Sequence, residues 1–261
     1  MQQRFINLIY MVMKGSLKVL WVVLGLWVVA AGCGKKDKVQ FGELTMGFVH
    51  QWESADFNLN QAYTTPSGEN FTPQQLKYYV SNINLTTTDG RQVSLPDQYF
   101  LVDVSKAESQ TLSLKLPVGS YSNLEYLVGV DSTRNVSGVQ EGALDPANGM
   151  FWTWNSGYIM ARLEGTSPQS TAPFQKVTYH IGGFRKAESV LKPVVLNLPS
   201  AAMVTLQGKP RIGIVANLSK WFKSTYELKI AEVSSMMDPG PISMSIADNY
   251  TSMFTATKVD N

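Results

Sequence analysis

The sequence predicts a mainly all-β protein, an antiparallel β-sandwich or barrel with a short C-terminal helix. Short segments between residues 41 and 218 alternate apolar and polar side chains, the period of a strand with one buried face. Gly, Pro, Asn and Asp cluster between these segments at the spacing typical of sandwiches and barrels. Helical spacing of apolar residues is confined to a stretch near the C-terminus.

The first predicted strand shows this alternation clearly. Leu44, Met46, Phe48 and His50 share one face, and Thr45 lies on the other. The same pattern predicts further strands at Tyr78–Leu85, Tyr99–Val104, Leu112–Leu116, Leu124–Val130, Ile159–Leu163, Val177–Ile181, Val194–Leu198, Met203–Leu206 and Ile212–Leu218.

Two segments favour helix. After Pro239-Gly240-Pro241, apolar residues recur near helical spacing from Ile242 to Phe254, which predicts the short amphipathic helix. Residues 72–76 are compatible with one helical turn. With no internal repeat and no low-complexity linker inside residues 41–261, we expect one compact domain there.

Residues 1–33 have the pattern of a lipoprotein signal peptide. Lys14 and Lys18 precede an apolar run, residues 19–31, that is too short to span a bilayer comfortably. Small residues lead directly into Cys33, as in the bacterial lipobox, where the cysteine is acylated and becomes the new N-terminus. A plain membrane anchor with an incidental cysteine is the alternative. We therefore expect residues 34–40 to be a polar tether and the protein to be lipid-anchored at the outer membrane or periplasmic surface.

Charge and cysteine content exclude several classes of protein. Without Arg4, Lys14 and Lys18, 19 basic residues face 20 acidic ones, so no basic surface for nucleic acid is indicated. Cys33 is the sole cysteine, so the mature domain has neither a disulfide nor a thiolate ligand. The common hydrolase, metalloprotease and phosphate-binding motifs are also missing from the sequence. We expect a protein that is not an enzyme.

The aromatic run Phe151-Trp152-Thr153-Trp154, followed by Tyr158, is the most distinctive local feature. Beside the polar loop of residues 129–148, it is typical of either a binding or redox site or a buried core strand. In a straight strand, Trp152 and Trp154 would share a face and Phe151 would pack on the other.

The two histidines are candidate metal ligands. His50 is predicted to point inward, where a buried neutral imidazole is the alternative interpretation. His180 precedes Gly182-Gly183 at a strand end, and glycine there allows a turn or a close approach to a ligand. If both imidazoles reach one place, they suit copper better than zinc, because no thiolate is available.

A calcium site is a further hypothesis. Asp131 and Asp145 lie in loops rich in oxygen donors, which hard cations prefer, although the spacing does not match an EF-hand. The alternative is a pair of polar turns in which these carboxylates cap the backbone.

Five motifs in order resemble the MbnP-like family, named after periplasmic copper-binding proteins associated with methanobactin operons. They are Tyr78-Tyr79-Val80-Ser81-Asn82-Ile83, Gly129-Val130-Asp131-Ser132, Leu144-Asp145-Pro146, Met150-Phe151-Trp152-Thr153-Trp154-Asn155-Ser156-Gly157-Tyr158 and His180-Ile181-Gly182-Gly183. The resemblance covers roughly residues 41–257, and the Phe-Trp-Thr-Trp run is its most specific part.

This resemblance implies a β-rich extracytoplasmic domain that binds copper. It makes His180 a candidate ligand and Trp152, Trp154 and Tyr158 candidates for near-metal or oxidisable residues. In some relatives a tryptophan is oxidised to kynurenine, with a MauG-type dihaem peroxidase as partner. The chain departs from the methanobactin-linked members, because no cysteine-containing segment follows His180, and it is similar to a lipoprotein branch associated with Bacteroidetes.

Two functions are therefore expected from the sequence. The first is a lipoprotein that binds copper for acquisition or handling. It would be anchored to the membrane through Cys33, with an outer-membrane transporter as a further partner. The second is a lipoprotein that recognises a partner or a small molecule through the aromatic run and binds no metal.

Overall fold

The computed structural model describes residues 38–261, apart from Val139, Asn155 and Ser156. Residues 40–261 form one compact unit. The predicted signal peptide and Cys33 lie outside the described residues, so lipidation stays a prediction. None of the helices in the described part is both long and apolar enough to cross a membrane.

In the described residues, strands make up most of the regular structure, together with three short α-helices. The strands are β1 (Phe41–Trp52), β2 (Ala55–Asp56), β3 (Tyr63–Thr64), β4 (Asn70–Thr87), β5 (Gln92–Asp103), β6 (Thr111–Pro117), β7 (Gly119–Val128), β8 (Phe151–Trp152), β9 (Gly157–Thr166), β10 (Lys176–Gly182), β11 (Lys192–Val204), β12 (Arg211–Asn217), β13 (Ser235–Met236) and β14 (Phe254–Asp260). The helices are α1 (Ser132–Asn135), α2 (Ser219–Phe222) and α3 (Pro241–Thr251).

The strands form two sheets that pack as a sandwich. The five-stranded sheet has the order β14-β12-β1-β2, with β6 also paired to β1. The nine-stranded sheet has the order β11-β7-β4-β9-β10-β13, with β3 and β5 also paired to β4 and β8 paired to β9. The core lies between them, where the Phe48 ring is 6.0 Å from that of Tyr78 and 6.2 Å from that of Phe254. Rings of this size supply much of the apolar area removed from water.

The predicted fold class is confirmed, as a sandwich with a C-terminal helix. The pairing is not purely antiparallel, since β1 runs parallel to β12 and β10 runs parallel to β13. Residues 72–76 lie in β4, so the predicted helical turn is wrong there; cross-strand pairing with β9 overrides the local pattern. Phe254, assigned to the helix from its spacing, instead begins β14.

Strand β4 positions the long loop that carries the aromatic run. β5 pairs with one edge of β4, while β7 pairs with the second half of the other edge and β9 with its first half. The chain therefore leaves β7 and re-enters β9 halfway along β4. The Gly129 N–H donates to the Tyr79 carbonyl (3.1 Å) at this point. The loop that begins at Gly129 thus emerges at a break between strands.

Candidate functional site

His50 lies on the inner face of the sandwich, and both of its ring nitrogens have hydrogen-bond partners. Its Nδ1 is 3.2 Å from Gln110 Oε1, and its Nε2 is 3.1 Å from the Tyr78 hydroxyl. The residue is only 6% exposed. Burial among neutral partners lowers the pKa of His50 to about 4, because the charged imidazolium loses its hydration. His50 is thus a buried neutral imidazole, the alternative that the sequence left open.

His180, on β10, has a charged neighbour instead. Its Nε2 is 2.6 Å from Glu164 Oε1, and the same carboxylate oxygen accepts from Arg162 Nη2 at 2.7 Å. The His180 hydrogen bond, reinforced by Arg162, lowers the pKa of Glu164 to about 2 against the opposing effect of burial. The His180 side chain stays 14% exposed and therefore accessible from solvent.

The two histidines lie on opposite sides of the nine-stranded sheet: His180 belongs to it, on β10, and His50 lies on β1 of the other sheet. In register, Lys77, Arg162 and His180 form one row across β4, β9 and β10, and Tyr78 belongs to the next row. Neighbouring residues in a strand point to opposite faces. Because His50 bonds to Tyr78 on the inner face, His180 must lie on the outer face. The sequence made a shared copper site conditional on both imidazoles reaching one place, and the structure does not bring them together.

The outer face at His180 is covered by the loop that precedes the aromatic run. Lys77 Nζ donates to the Asn148 carbonyl (3.3 Å) and forms an ion pair with Asp103 Oδ2 (3.2 Å). Arg162 Nη1 donates to the Gly149 carbonyl at 2.7 Å. The row of cationic side chains therefore fixes the loop over the sheet, beside the Glu164–His180 pair.

The two tryptophans differ in environment. β8 ends at Trp152, which is 5% exposed, and the chain then turns, so that Trp154 is 62% exposed. Their ring centroids are 5.3 Å apart. The shared face was predicted for a straight strand, and that condition is not met, because only Phe151 and Trp152 pair with β9. Phe151 packs edge-on against Tyr158, with centroids 5.1 Å apart.

Trp152 packs directly on the strand that carries His180. A Cβ added to Gly182 would lie 2.5 Å from the Trp152 ring, so only glycine permits this contact. Gly182 follows His180 by two residues on β10, at a point where the pairing with β9 shifts register. Within the described residues, the buried Trp152 Nε1 has no hydrogen-bond partner. The close approach that the glycines suggested is therefore made by the aromatic run itself.

Tyr158 anchors the loop that precedes the aromatic run. Its hydroxyl donates to the Leu144 carbonyl at 2.8 Å, and its ring meets that of Tyr79 edge-on at 5.7 Å. Asn135, which the sequence did not single out, accepts from the Tyr158 backbone N–H (2.9 Å) and donates to the Val130 carbonyl (2.6 Å). A strand pattern cannot reveal this amide, because its partners lie at the two ends of the long loop.

The two carboxylates proposed for calcium act as helix caps. Asp131 accepts from the Arg134 N–H (3.1 Å) at the start of α1, and also from the Tyr99 hydroxyl. Asp145 accepts from the Ala147 N–H at 2.8 Å, at the start of a single 3-10 turn. These are the polar turns that formed the alternative interpretation. Across the described ranges, no three His, Cys, Asp or Glu side chains gather as a metal-binding group.

Fold and site together define an all-β sandwich domain in which one strand carries both the histidine of a histidine–carboxylate pair and the glycine that packs against a buried indole. The chain belongs to the MbnP family, whose model matches residues 41–238. Among solved structures, it is similar to MbnP from Methylosinus trichosporium, with a TM-score of 0.52 and 16% identity over 79% of this chain and 84% of that one. At this identity the similarity shows the fold alone. No curated protein matches the chain significantly.

The MbnP family is associated with copper. The described residues fit a site with one imidazole and not a site with two. Metal-binding histidines usually hold a carboxylate with their other ring nitrogen, as His180 holds Glu164. His50 has neither a free ring nitrogen nor solvent access.

Proposed function

We propose that this protein is an extracytoplasmic copper-binding lipoprotein that takes part in copper acquisition or handling without catalysing a reaction. Copper is its cargo, and His180 is the ligand. The observation that carries the proposal is the hydrogen bond between Glu164 and His180, which lies on the same strand whose Gly182 packs against the Trp152 ring. Imidazole is a good copper ligand, and the neighbouring carboxylate orients the ring.

Binding should be tested with a matched pair of variants. After reconstitution with Cu(I) and desalting, copper per mole of protein is measured for the wild type, His180→Gln and His50→Gln. We expect His180→Gln to lose the bound copper and His50→Gln to keep it. Glutamine can still form hydrogen bonds at both positions, so we expect both variants to fold. Circular dichroism compares their folding with that of the wild type. Equal copper content in all three proteins, or none in the wild type, would refute the proposal.

Two covalent modifications belong to the same proposal. We propose acylation of Cys33, which would hold the protein at the outer membrane or periplasmic surface. We also propose oxidation of Trp152, rather than Trp154, to kynurenine by a MauG-type dihaem peroxidase. Trp152 is the favoured indole because its ring lies on the strand of His180, whereas Trp154 is 62% exposed.

Mass analysis of the native protein tests both modifications at once. We expect an acyl mass on the peptide that begins at Cys33, and the kynurenine mass increment on the peptide that contains Trp152. Fragmentation spectra separate Trp152 from Trp154, and protein made without export to the membrane is the control. An unmodified mature N-terminus would reject anchoring, and two intact tryptophans would reject oxidation, each independently of copper binding.

The second candidate function is recognition of a partner or a small molecule without metal. It is favoured by the separation of the histidines, each of which is hydrogen-bonded on its own face. In this case Arg162 would serve to fix the loop through the Gly149 carbonyl, and the aromatic run would contact the ligand. Copper-free wild-type protein that still binds an organic ligand would support it.

A further inference from the structure

A cavity of about 430 Å³ opens beside the aromatic run, at Phe151. Its walls are largely apolar and include Val136, Pro146, Phe151, Tyr158 and Phe184. Val136 is 70% exposed, so the cavity has an apolar lip in solvent. Its volume lies within the roughly 300–1,000 Å³ of sites for small molecules.

Hydrogen bonds between the surrounding segments hold the cavity open. The Asn135 amide bridges the Val130 carbonyl and the Tyr158 N–H at 2.6 and 2.9 Å. Ser132 Oγ donates to the Phe184 carbonyl at 3.1 Å, which joins α1 to the opposite wall. A cavity whose walls are joined in this way needs little ordering when a ligand binds, and this favours affinity.

The charged group at the cavity is Arg185. Its side chain lines the cavity and lies over the Phe184 ring, with the guanidinium carbon 5.4 Å from the ring centroid. Within the described residues Arg185 forms no ion pair, unlike Arg134 and Arg162, each of which bonds a carboxylate. Its five N–H donors are therefore available to an anion from outside the chain.

We infer that this cavity binds a small organic anion with a flat apolar body. The carboxylate or sulfonate of such a ligand pairs with Arg185, and its ring packs between Phe151 and Phe184. This inference goes beyond copper binding, because neither His180 nor Glu164 lines the cavity. It gives the second candidate function a definite place and a definite class of ligand.

The test uses 2-naphthoate and its neutral analogue 2-naphthamide as probes. Binding to the chelator-treated, metal-free protein is measured by isothermal calorimetry. We expect naphthoate to bind more tightly than naphthamide by about tenfold or more, because a charge-assisted hydrogen bond contributes more than a neutral one. Arg185→Gln should remove this preference by weakening naphthoate binding alone. Arg91→Gln, a change at an exposed arginine that does not line the cavity, is the matched control.

A second variant probes the apolar wall without disturbing the core. Val136→Asp places a negative charge at an exposed lip position, so it should weaken naphthoate more than naphthamide while the fold is kept. His180→Gln should leave both affinities unchanged, which separates this inference from the copper proposal. The inference is overturned if the wild type binds neither probe at millimolar concentration, if Arg185→Gln and Arg91→Gln behave alike, or if His180→Gln abolishes binding.

Discussion

His50 and His180 are the same residue type on opposite sides of the nine-stranded sheet, and their surroundings give them opposite properties. On the inner face, His50 meets an amide and a phenol, both neutral, and burial makes its charged form unfavourable. On the outer face, His180 meets the Glu164 carboxylate, whose pKa is lowered first by the His180 hydrogen bond itself and then by Arg162. The comparison teaches that the partner's charge and access to water, more than position in a strand, decide which histidine can take part in binding.

The largest expected effect is a loss of stability, and it tests whether Trp152 is buried on the outer face of the sheet. Trp152 is buried against Gly182, whereas Trp154 projects from the turn that follows β8. Trp152→Ala should lower the free energy of unfolding by about 3–5 kcal/mol, the range for a buried tryptophan. Trp154→Ala should change it by no more than about 0.5 kcal/mol. Urea unfolding of the two variants measures both. Equal losses would mean that the loop does not cover Trp152.

On the inner face, burial of His50 should make the free energy of unfolding depend on pH. The pKa of His50 is lowered from 6.5 to about 4 on folding, so the unfolded chain binds the proton more readily. This contribution is complete above pH 6.5 and is lost as pH falls toward 4. At about 1.4 kcal/mol per pH unit, the free energy of unfolding should decrease by about 3 kcal/mol across this window.

His50→Gln isolates this contribution. The variant has no imidazole to protonate but can still hydrogen-bond Tyr78, so its unfolding free energy should change much less between pH 6.5 and pH 4. Urea unfolding at several pH values gives the slopes, and His180→Gln is the matched control on the outer face. If wild type and His50→Gln show the same slope, burial does not suppress the charge on His50.

Local pattern predicted the faces of individual strands and failed where distant strands meet. Alternation correctly placed Leu44, Met46, Phe48 and His50 on one buried face, because period two is a property of a single strand. It could not show that His50 and His180 lie on opposite sides, since that follows from the register of β4, β9 and β10.

The same limit explains what was missed at the site. Glu164 reaches His180 only through the β9–β10 pairing, and no spacing in the sequence indicates this contact. Trp152 and Trp154 were assigned to one face on the assumption of a straight strand, but pairing ends at Trp152. The glycine signal was informative, because Gly182 does mark a close approach.

The smallest expected effect is carried by Glu164, the partner that distinguishes the outer histidine. Its pKa falls from 4.5 to about 2 on folding, chiefly through the His180 hydrogen bond. The stabilisation is therefore present above pH 4.5 and is lost as pH decreases toward 2. Because the side chain is 28% exposed, solvent screening reduces the contribution to about 1–2 kcal/mol. Glu164→Gln should remove this part of the acid dependence, as measured by urea unfolding between pH 4.5 and pH 2. Arg162→Gln, which leaves the His180 contact in place, should retain most of it. If the acid dependence of stability persists unchanged in Glu164→Gln, it comes from other carboxylates. His180 would then lack the ionised partner on which its contrast with His50 depends.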